Sequence, residues 1–519
     1  MHQRTKGLFL LLLLALLISK VTAQNVDPPF LKYINHLWVD SVMNTLSEEE
    51  RVAQLIWVAA FSNRDISHEV YLSDLIKKTG IGGVIFFQDN APKQSEMINY
   101  FRKISKVPLM VVTDGEWGIG MRLEGIIKFP FQMTLGAIGN DSLIYLMGRA
   151  VADQFRRAGV QINLAPVADV DNNPQNPVIN FRSFGEDPEN VSRKSLMYMR
   201  GLQDNGIIAV AKHFPGHGDT EVDSHLDLPV LRHSRTRFDS IELVPFKSLI
   251  NNGITGVMPG HLWIPNLDPN PNLPSTISYP VLTGLLKNEL SFKGLVLSDA
   301  MNMEGITKYT KPGEAEVNAL KAGMDVLEYV NDPERAIKTI IDCIKTGEIT
   351  TELINEKCRK VLAAKYWAGL SKPAPIAVDN IMEELSPTSA NALIRDLYAN
   401  ALTVLNNKQN VIPVRNLDKL KIATLAINDG GMTPYQVRIS KYTKVDNYFI
   451  DTIDQKKVTR LLKKLEKYDL VIAGVFNTDQ RSVMNFGIPE GLDSLLEKLN
   501  SVNKCIITYF GNPYAIAKI

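Results

Sequence analysis

The stretch KHFPGHGDTEVDSH, residues 212–225, holds three of the chain's eight histidines, three carboxylates and a lysine. Asp223 and His225 stand two apart, so in an extended segment their side chains share a face. The carboxylate then accepts the imidazole N–H, which fixes the tautomer, orients the ring and favours imidazolium. A histidine backed in this way is a general acid/base, because its unperturbed pKa lies near ~6.5. Gly216 and Gly218 permit turns with positive φ and give the segment freedom to close over a substrate.

Asp299 supplies the other half of the chemistry. It ends the apolar run GLVLSDA, where a strand would project it into a pocket. A carboxylate nucleophile facing a proton donor is what cleavage of a glycosidic bond with retention requires. Lys212, His213, Asp114, Arg122 and Arg182 offer hydrogen bonds to hydroxyls and to an acetamido carbonyl. Two other readings of the histidine cluster stay open on the residues alone. His213, His217, Asp219, Asp223 and His225 could ligate Zn²⁺, or the histidines could be structural groups satisfied by backbone carbonyls.

These residues need a frame. Eight short apolar runs separated by longer amphipathic stretches occupy the region from Asn44 to Leu370. They begin at Gln54, Gly82, Pro108, Val160, Gly206, Gly253, Gly294 and Asp325. Continuous apolar strands alternating with helices predict a parallel sheet covered on both faces, and eight units predict a (β/α)8 TIM barrel. An open doubly wound sheet is the alternative. In a barrel the strand-end residues Asp114, Glu116, Asp169, Lys212, His213, His261 and Asp299 converge on one mouth. Ser47 and Glu50 form a capping box before the first amphipathic stretch. Residues 371–390 read as a linker rich in proline and small residues. KIATLAI, DLVIAGVF and KCIITYF then read as three buried strands, with helices around Val458–Leu465 and Leu492–Leu499. They open a second α/β domain, either incomplete or a small three-stranded unit.

The chain has 519 residues, enough for two or three domains. With 45% apolar and 22% charged residues it is globular, and a formal charge of +1 gives no field for nucleic acid. Residues 1–23 have a basic start, an apolar run too short to span a bilayer, and Val21-Thr22-Ala23 as a small-residue cleavage site. They read as a secretory signal peptide cut after Ala23, with an uncleaved anchor as the alternative. No later run is long enough to cross a membrane. Three cysteines, Cys343, Cys358 and Cys505, are too few for a disulfide scaffold, and the first two read as buried thiols.

KHFPGHGDTEVDSH resembles the signature loop of the bacterial β-N-acetylglucosaminidase group of glycoside hydrolase family 3, and KGLVLSDAMNMEG resembles that family's nucleophile strand. VTDGEWGIGMRL and NPVINFRSFGEDP are similar to two more of its signatures. The resemblance implies Asp299 as nucleophile, His225 as acid/base and Asp223 as the residue that orients it. It implies sugar contacts at Asp114, Arg122, Arg182, Lys212 and His213, with no metal and no cofactor. It further implies residues 28–370 as the N-terminal catalytic barrel and 391–519 as part of a C-terminal α/β sandwich domain, whose relatives run further. Trp117 stands where many relatives carry glycine and would narrow the pocket or add a stacking wall. The expected activity is that of an exported, periplasmic or extracellular β-N-acetylhexosaminidase acting on β-GlcNAc glycans or muropeptides. A phosphorylase or β-glucosidase on the same scaffold, or a non-catalytic glycan-binding module, are the rivals.

Overall fold

The computed structural model describes residues 26–88, 90–311 and 313–519. The signal-peptide reading of residues 1–23 lies outside them. Among the described residues no helix is long and apolar enough to cross a membrane.

Seven parallel strands follow one another in sequence order: β1 Trp57–Ala60, β2 Gly83–Phe86, β3 Met110–Thr113, β4 Ile162–Asn163, β5 Ile208–Phe214, β6 Gly256–Pro259 and β7 Leu295–Val296. Nearly all their residues are buried, as expected of a sheet with helices outside and side chains filling the inside. The eighth run forms no full strand, yet it closes the ring. Val326 bridges Leu297 beyond β7, and Leu327 bridges Ile56 before β1. The hydrogen bonds Ser298 N to Val326 O (3.0 Å), Leu327 N to Leu55 O (2.8 Å) and Trp57 N to Leu327 O (2.9 Å) join both edges to one segment. That closure makes it a barrel and removes the open-sheet alternative.

The crossovers are helical, among them Ile66–Thr79, Ala91–Ile104, Ser142–Arg157, Pro188–Gln203 and Leu243–Asn251. The expected capping box is present: Glu50 N donates to Ser47 Oγ (3.1 Å), and Ser47 N donates to Glu50 Oε2 (2.8 Å). The two satisfied donors start helix Glu48–Ala53, which feeds β1. Residues 371–390 lie along the barrel, with Ile376, Ile381 and Leu385 buried and a short helix at Ile381–Glu384.

The second sheet is parallel and has four strands in the order β11-β10-β8-β9: β8 Ile422–Ile427, β9 Val445–Ile450, β10 Leu470–Val475 and β11 Lys504–Tyr509. The central β8 and β10 are wholly buried, whereas the edge strands β9 and β11 are partly exposed. The sequence reading missed β9, VDNYFI, because an edge strand needs no continuous apolar run. It also counted β11 as buried, which its edge position corrects. Helices Gln455–Leu465 and Leu492–Val502 bury Val458, Leu461, Leu465, Leu492, Leu495 and Leu499 on one face of the sheet. The stretch after β11 reaches back to the barrel. Tyr514 OH donates to Asp171 O (2.6 Å), and Asn512 Nδ2 bonds Asn180 Oδ1.

The three cysteines are free. Cys358 is buried as expected, but Cys343 is half-buried at a helix end, so the reading of it as a core thiol is corrected.

Candidate active site

The barrel delivers its polar residues to one end. β3 leads into Asp114 and Glu116, β5 carries Lys212 and His213, and the segment after β7 carries Asp299. The deepest layer is an ion-pair network. Lys212 Nζ donates to Asp114 Oδ1 at 2.7 Å and lies 3.0 Å from Glu116 Oε1. Arg182 grips Glu116 through Nε (3.0 Å) and Nη2 (2.7 Å), while Arg122 pairs with Asp114. Burial alone would raise both carboxyls. The surrounding cations more than offset it, holding Glu116 at about 2 and Asp114 well below the carboxylate range. Three cations, Arg122, Arg182 and Lys212, thus face two carboxylates in this layer.

Two Asp–His pairs flank this network. Asp169 is fully buried and accepts the backbone N–H of His213 (3.1 Å), the His213 ring Nδ1–H (2.7 Å) and the backbone N–H of His217 (2.7 Å). Burial pushes its carboxyl up, and the His213 ring and these donors pull it below its ordinary value. With Nδ1 committed, His213 presents Nε2 as its free ring atom. The second pair is Asp223–His225. Asp223 Oδ1 accepts both the His225 backbone N–H (2.9 Å) and ring Nδ1–H (2.7 Å). The contact is an Asx-type turn, so the two residues meet by folding back and not through an extended strand, as the sequence reading had it.

The loop that carries this pair is tethered. Asn176 Nδ2 donates to the carbonyls of His217 (2.8 Å) and Gly218 (3.0 Å), and Lys308 Nζ donates to Leu226 O (2.6 Å). Tyr309 OH donates to Asp227 Oδ1 (2.8 Å). Gly216 has φ +132°, as its turn requires. Gly218 serves differently: a Cβ there would sit 1.8 Å from Val170 O, so glycine permits close packing and not mobility. His217 is buried, with its ring nitrogens at Thr220 Oγ1 (2.8 Å) and Ser224 Oγ (3.2 Å). Burial and the nearby His213 lower it to about 4. Among the described residues no group of three or more His, Cys, Asp or Glu side chains is arranged to hold a metal ion.

Asp299 is half-buried, and its Oδ1 accepts the N–H of Ala300 at 2.8 Å. Burial raises its carboxyl, but His261, His213, the Ala300 N–H and His225 outweigh it, so the group stays below the ordinary aspartate value. The shift favours the carboxylate form, and the His225 ring lies within electrostatic reach of it. His261 props the same turn: Nε2–H donates to Ala300 O (3.1 Å), and Nδ1 meets Thr276 Oγ1 (2.8 Å).

Sequence reasoning missed two features. One is an aromatic rim at the ends of β1, β2 and the eighth segment, where Phe61 stacks on Phe87 (5.5 Å) and Phe87 meets Tyr329 (5.2 Å). Arg122 lies over Phe87 at 5.2 Å. The other is Glu328, a buried carboxyl in the run DVLEYV, whose signal was a lone charge near the end of an apolar strand. Trp117 packs edge-on against Phe131 (4.9 Å) and near Phe181 (6.2 Å), so an aromatic cluster holds it.

Residues 47–364 match the Glycosyl hydrolase family 3 N terminal domain, which is more than half of the chain. The chain belongs to glycoside hydrolase family 3. The chain is 30% identical over 390 residues to a β-hexosaminidase A of Pseudoalteromonas piscicida, covering 69% of this chain and 64% of that protein. It is 25% identical over 402 residues to a β-N-acetylglucosaminidase/β-glucosidase of Cellulomonas fimi, covering 76% and 71%. A family 3 β-N-acetylglucosaminidase from Paenibacillus sp. str. FPU-7 superposes with a TM-score of 0.71 at 26% identity, covering 91% of both chains. The β-glucoside phosphorylase BglX superposes with a TM-score of 0.78 at 22% identity, covering 95% and 92%, a likeness of fold. The family and the barrel-plus-α/β architecture expected from the sequence are therefore borne out.

Proposed function

We propose that this protein is a retaining β-N-acetylglucosaminidase, with Asp299 as nucleophile, His225 as acid/base and Asp223 as the group that orients it. The observation that carries the reading is Asp299 in the segment just past β7, its carboxyl held below the ordinary value in part by the His225 ring, which Asp223 backs at 2.7 Å. The Asp299 carboxylate forms an ester bond to the anomeric carbon as the bond to the leaving oxygen breaks. That oxygen takes the proton from the His225 imidazolium. Water then attacks the same carbon, His225 takes its proton, and the ester bond to Asp299 breaks. Asp114, Arg122, Lys212, Arg182 and His213 bind the hydroxyls and the acetamido group. The names of the relatives favour GlcNAc as the sugar.

The substrate class is a β-GlcNAc glycan, with peptidoglycan fragments as the specific candidate. That choice rests on the N-terminal segment, which reads as an export signal and would place the enzyme in the periplasm or outside the cell. We expect p-nitrophenol release from p-nitrophenyl β-GlcNAc in phosphate-free buffer. Asp299→Ala should reduce it by more than about a thousandfold, with the thermal transition preserved. Turnover by Asp299→Ala within tenfold of wild type would sink the assignment. Release that needs added phosphate and yields GlcNAc-1-phosphate would convert the hydrolase into a phosphorylase.

A further inference from the structure

Glu328 directly follows the two residues that close the ring of strands, Val326 and Leu327, and is unused by the chemistry above. Its backbone is fixed to the nucleophile segment: Glu328 N donates to Ser298 Oγ (2.8 Å), and Met301 N donates to Glu328 O (2.9 Å). Strand alternation decides where its side chain goes. Asp325 turns outward, to Lys360 Nζ (2.8 Å) and Lys357 Nζ (3.7 Å) on the outer helix Thr351–Trp367. Three residues later, an odd step along the extended segment puts Glu328 on the opposite face, where the charges of Asp114, Asp299 and Lys212 act on its carboxyl. Tyr329 then takes φ +53°, an uncommon left-handed conformation for a bulky residue, of the kind that gathers at functional sites. Glu328 is 2% exposed, and its Oε1 has no hydrogen-bond partner among the described residues. A buried carboxyl oxygen without a hydrogen-bond partner is costly, and only the charge of Lys212 acts in its favour.

We propose that Glu328 is a specificity-determining residue of the mouth, whose carboxyl hydrogen-bonds a hydroxyl of the sugar held between Asp114 and Asp299. The inference deepens the glycosidase reading and rests on it. Burial and the charges of Asp114 and Asp299 push this carboxyl well up, against the opposing charge of Lys212, so it keeps its proton. Its two carboxylate neighbours are acceptors only, and Glu328 adds a donor that can hold a hydroxyl in one orientation.

The test compares wild type, Glu328→Gln and Glu328→Leu on p-nitrophenyl β-GlcNAc and p-nitrophenyl β-glucoside. It also follows the melting temperature with and without saturating free GlcNAc or glucose. Glu328→Leu should lose about tenfold or more in kcat/KM and most of the sugar-induced thermal shift, while its own melting temperature rises. Glu328→Gln keeps a donor and should stay within about threefold of wild type. A purely structural carboxyl would produce the opposite pairing, with Leu at wild-type activity or both variants losing stability and activity together, and either result overturns the proposal. Wild-type activity on the glucoside alone would remove the GlcNAc reading, and the variants compared on that glucoside would still decide Glu328. If neither glycoside turns over, the sugar-induced thermal shift of the variants decides it.

Discussion

Asp169–His213 and Asp223–His225 are the same chemical pair at the same 2.7 Å, in opposite surroundings. The first has side chains 0% and 7% exposed, the second 33% and 62%. Burial turns the first into a fixture. Asp169 collects three donors, orients His213 and pins the start of the His loop at His217. Exposure leaves the second able to exchange protons with solvent. A catalytic acid/base needs that access, whereas a binding histidine needs a fixed ring. The same motif suits either purpose, and its surroundings favour the acid/base role proposed for His225 and the binding role proposed for His213.

The contrast is open to direct attack. The largest effect should come from His225→Ala: about a thousandfold loss of turnover on chitobiose, less on the p-nitrophenyl glycoside whose leaving group needs little protonation, and an unchanged melting temperature. A clear drop in melting temperature would erase the distinction between the pairs. Asp169→Ala should instead unfold more easily, by about 3 kcal/mol in a denaturant titration, because it strands the His213 ring and two backbone donors in a buried site. Asp223→Asn, altering an exposed pair screened by water, should cost about tenfold in kcat/KM and leave stability intact.

The smallest effect is a pH dependence of stability. Glu116 falls from an unfolded value near 4.5 to about 2, so its contribution is complete above about pH 4.5 and is lost as the pH falls through the folded value. His217, lowered from 6.5 to about 4, also depresses stability on acidification, from below about pH 6.5 downward. Wild-type melting temperature should therefore decline in two acid stages, and His217→Gln should remove the earlier one. A flat profile between pH 7 and pH 4 would contradict the buried, neutral His217.

Much of the site was legible because its residues sit at strand ends or in one loop. Asp114, Lys212, His213 and Asp299 each end an apolar run, and barrel geometry then brings them together. Asp223 and His225 were legible as a pair because the contact is local, although the turn that makes it was not. Glu328 escaped notice because the same run gives no sign of which side its carboxyl faces. Strand β9 escaped because edge strands carry mixed patterns. The bidentate clamp of Arg182 on Glu116 was equally hidden, since 66 positions separate the two.

The amino-acid sequence by itself determined the alternation of strand and helix, the capped start of the barrel, the family and which residues are proposed as the reactive groups. These follow from periodicity, local turns and short motifs, all properties of neighbours along the chain. Tertiary structure alone decided that the barrel closes through two bridges, that one Asp–His pair is buried and the other exposed, and that Glu328 is buried within the field of Asp114 and Asp299. Those are consequences of burial and of charges brought together from distant positions. A group's solvation and electrostatic surroundings exist only once the chain has folded around it.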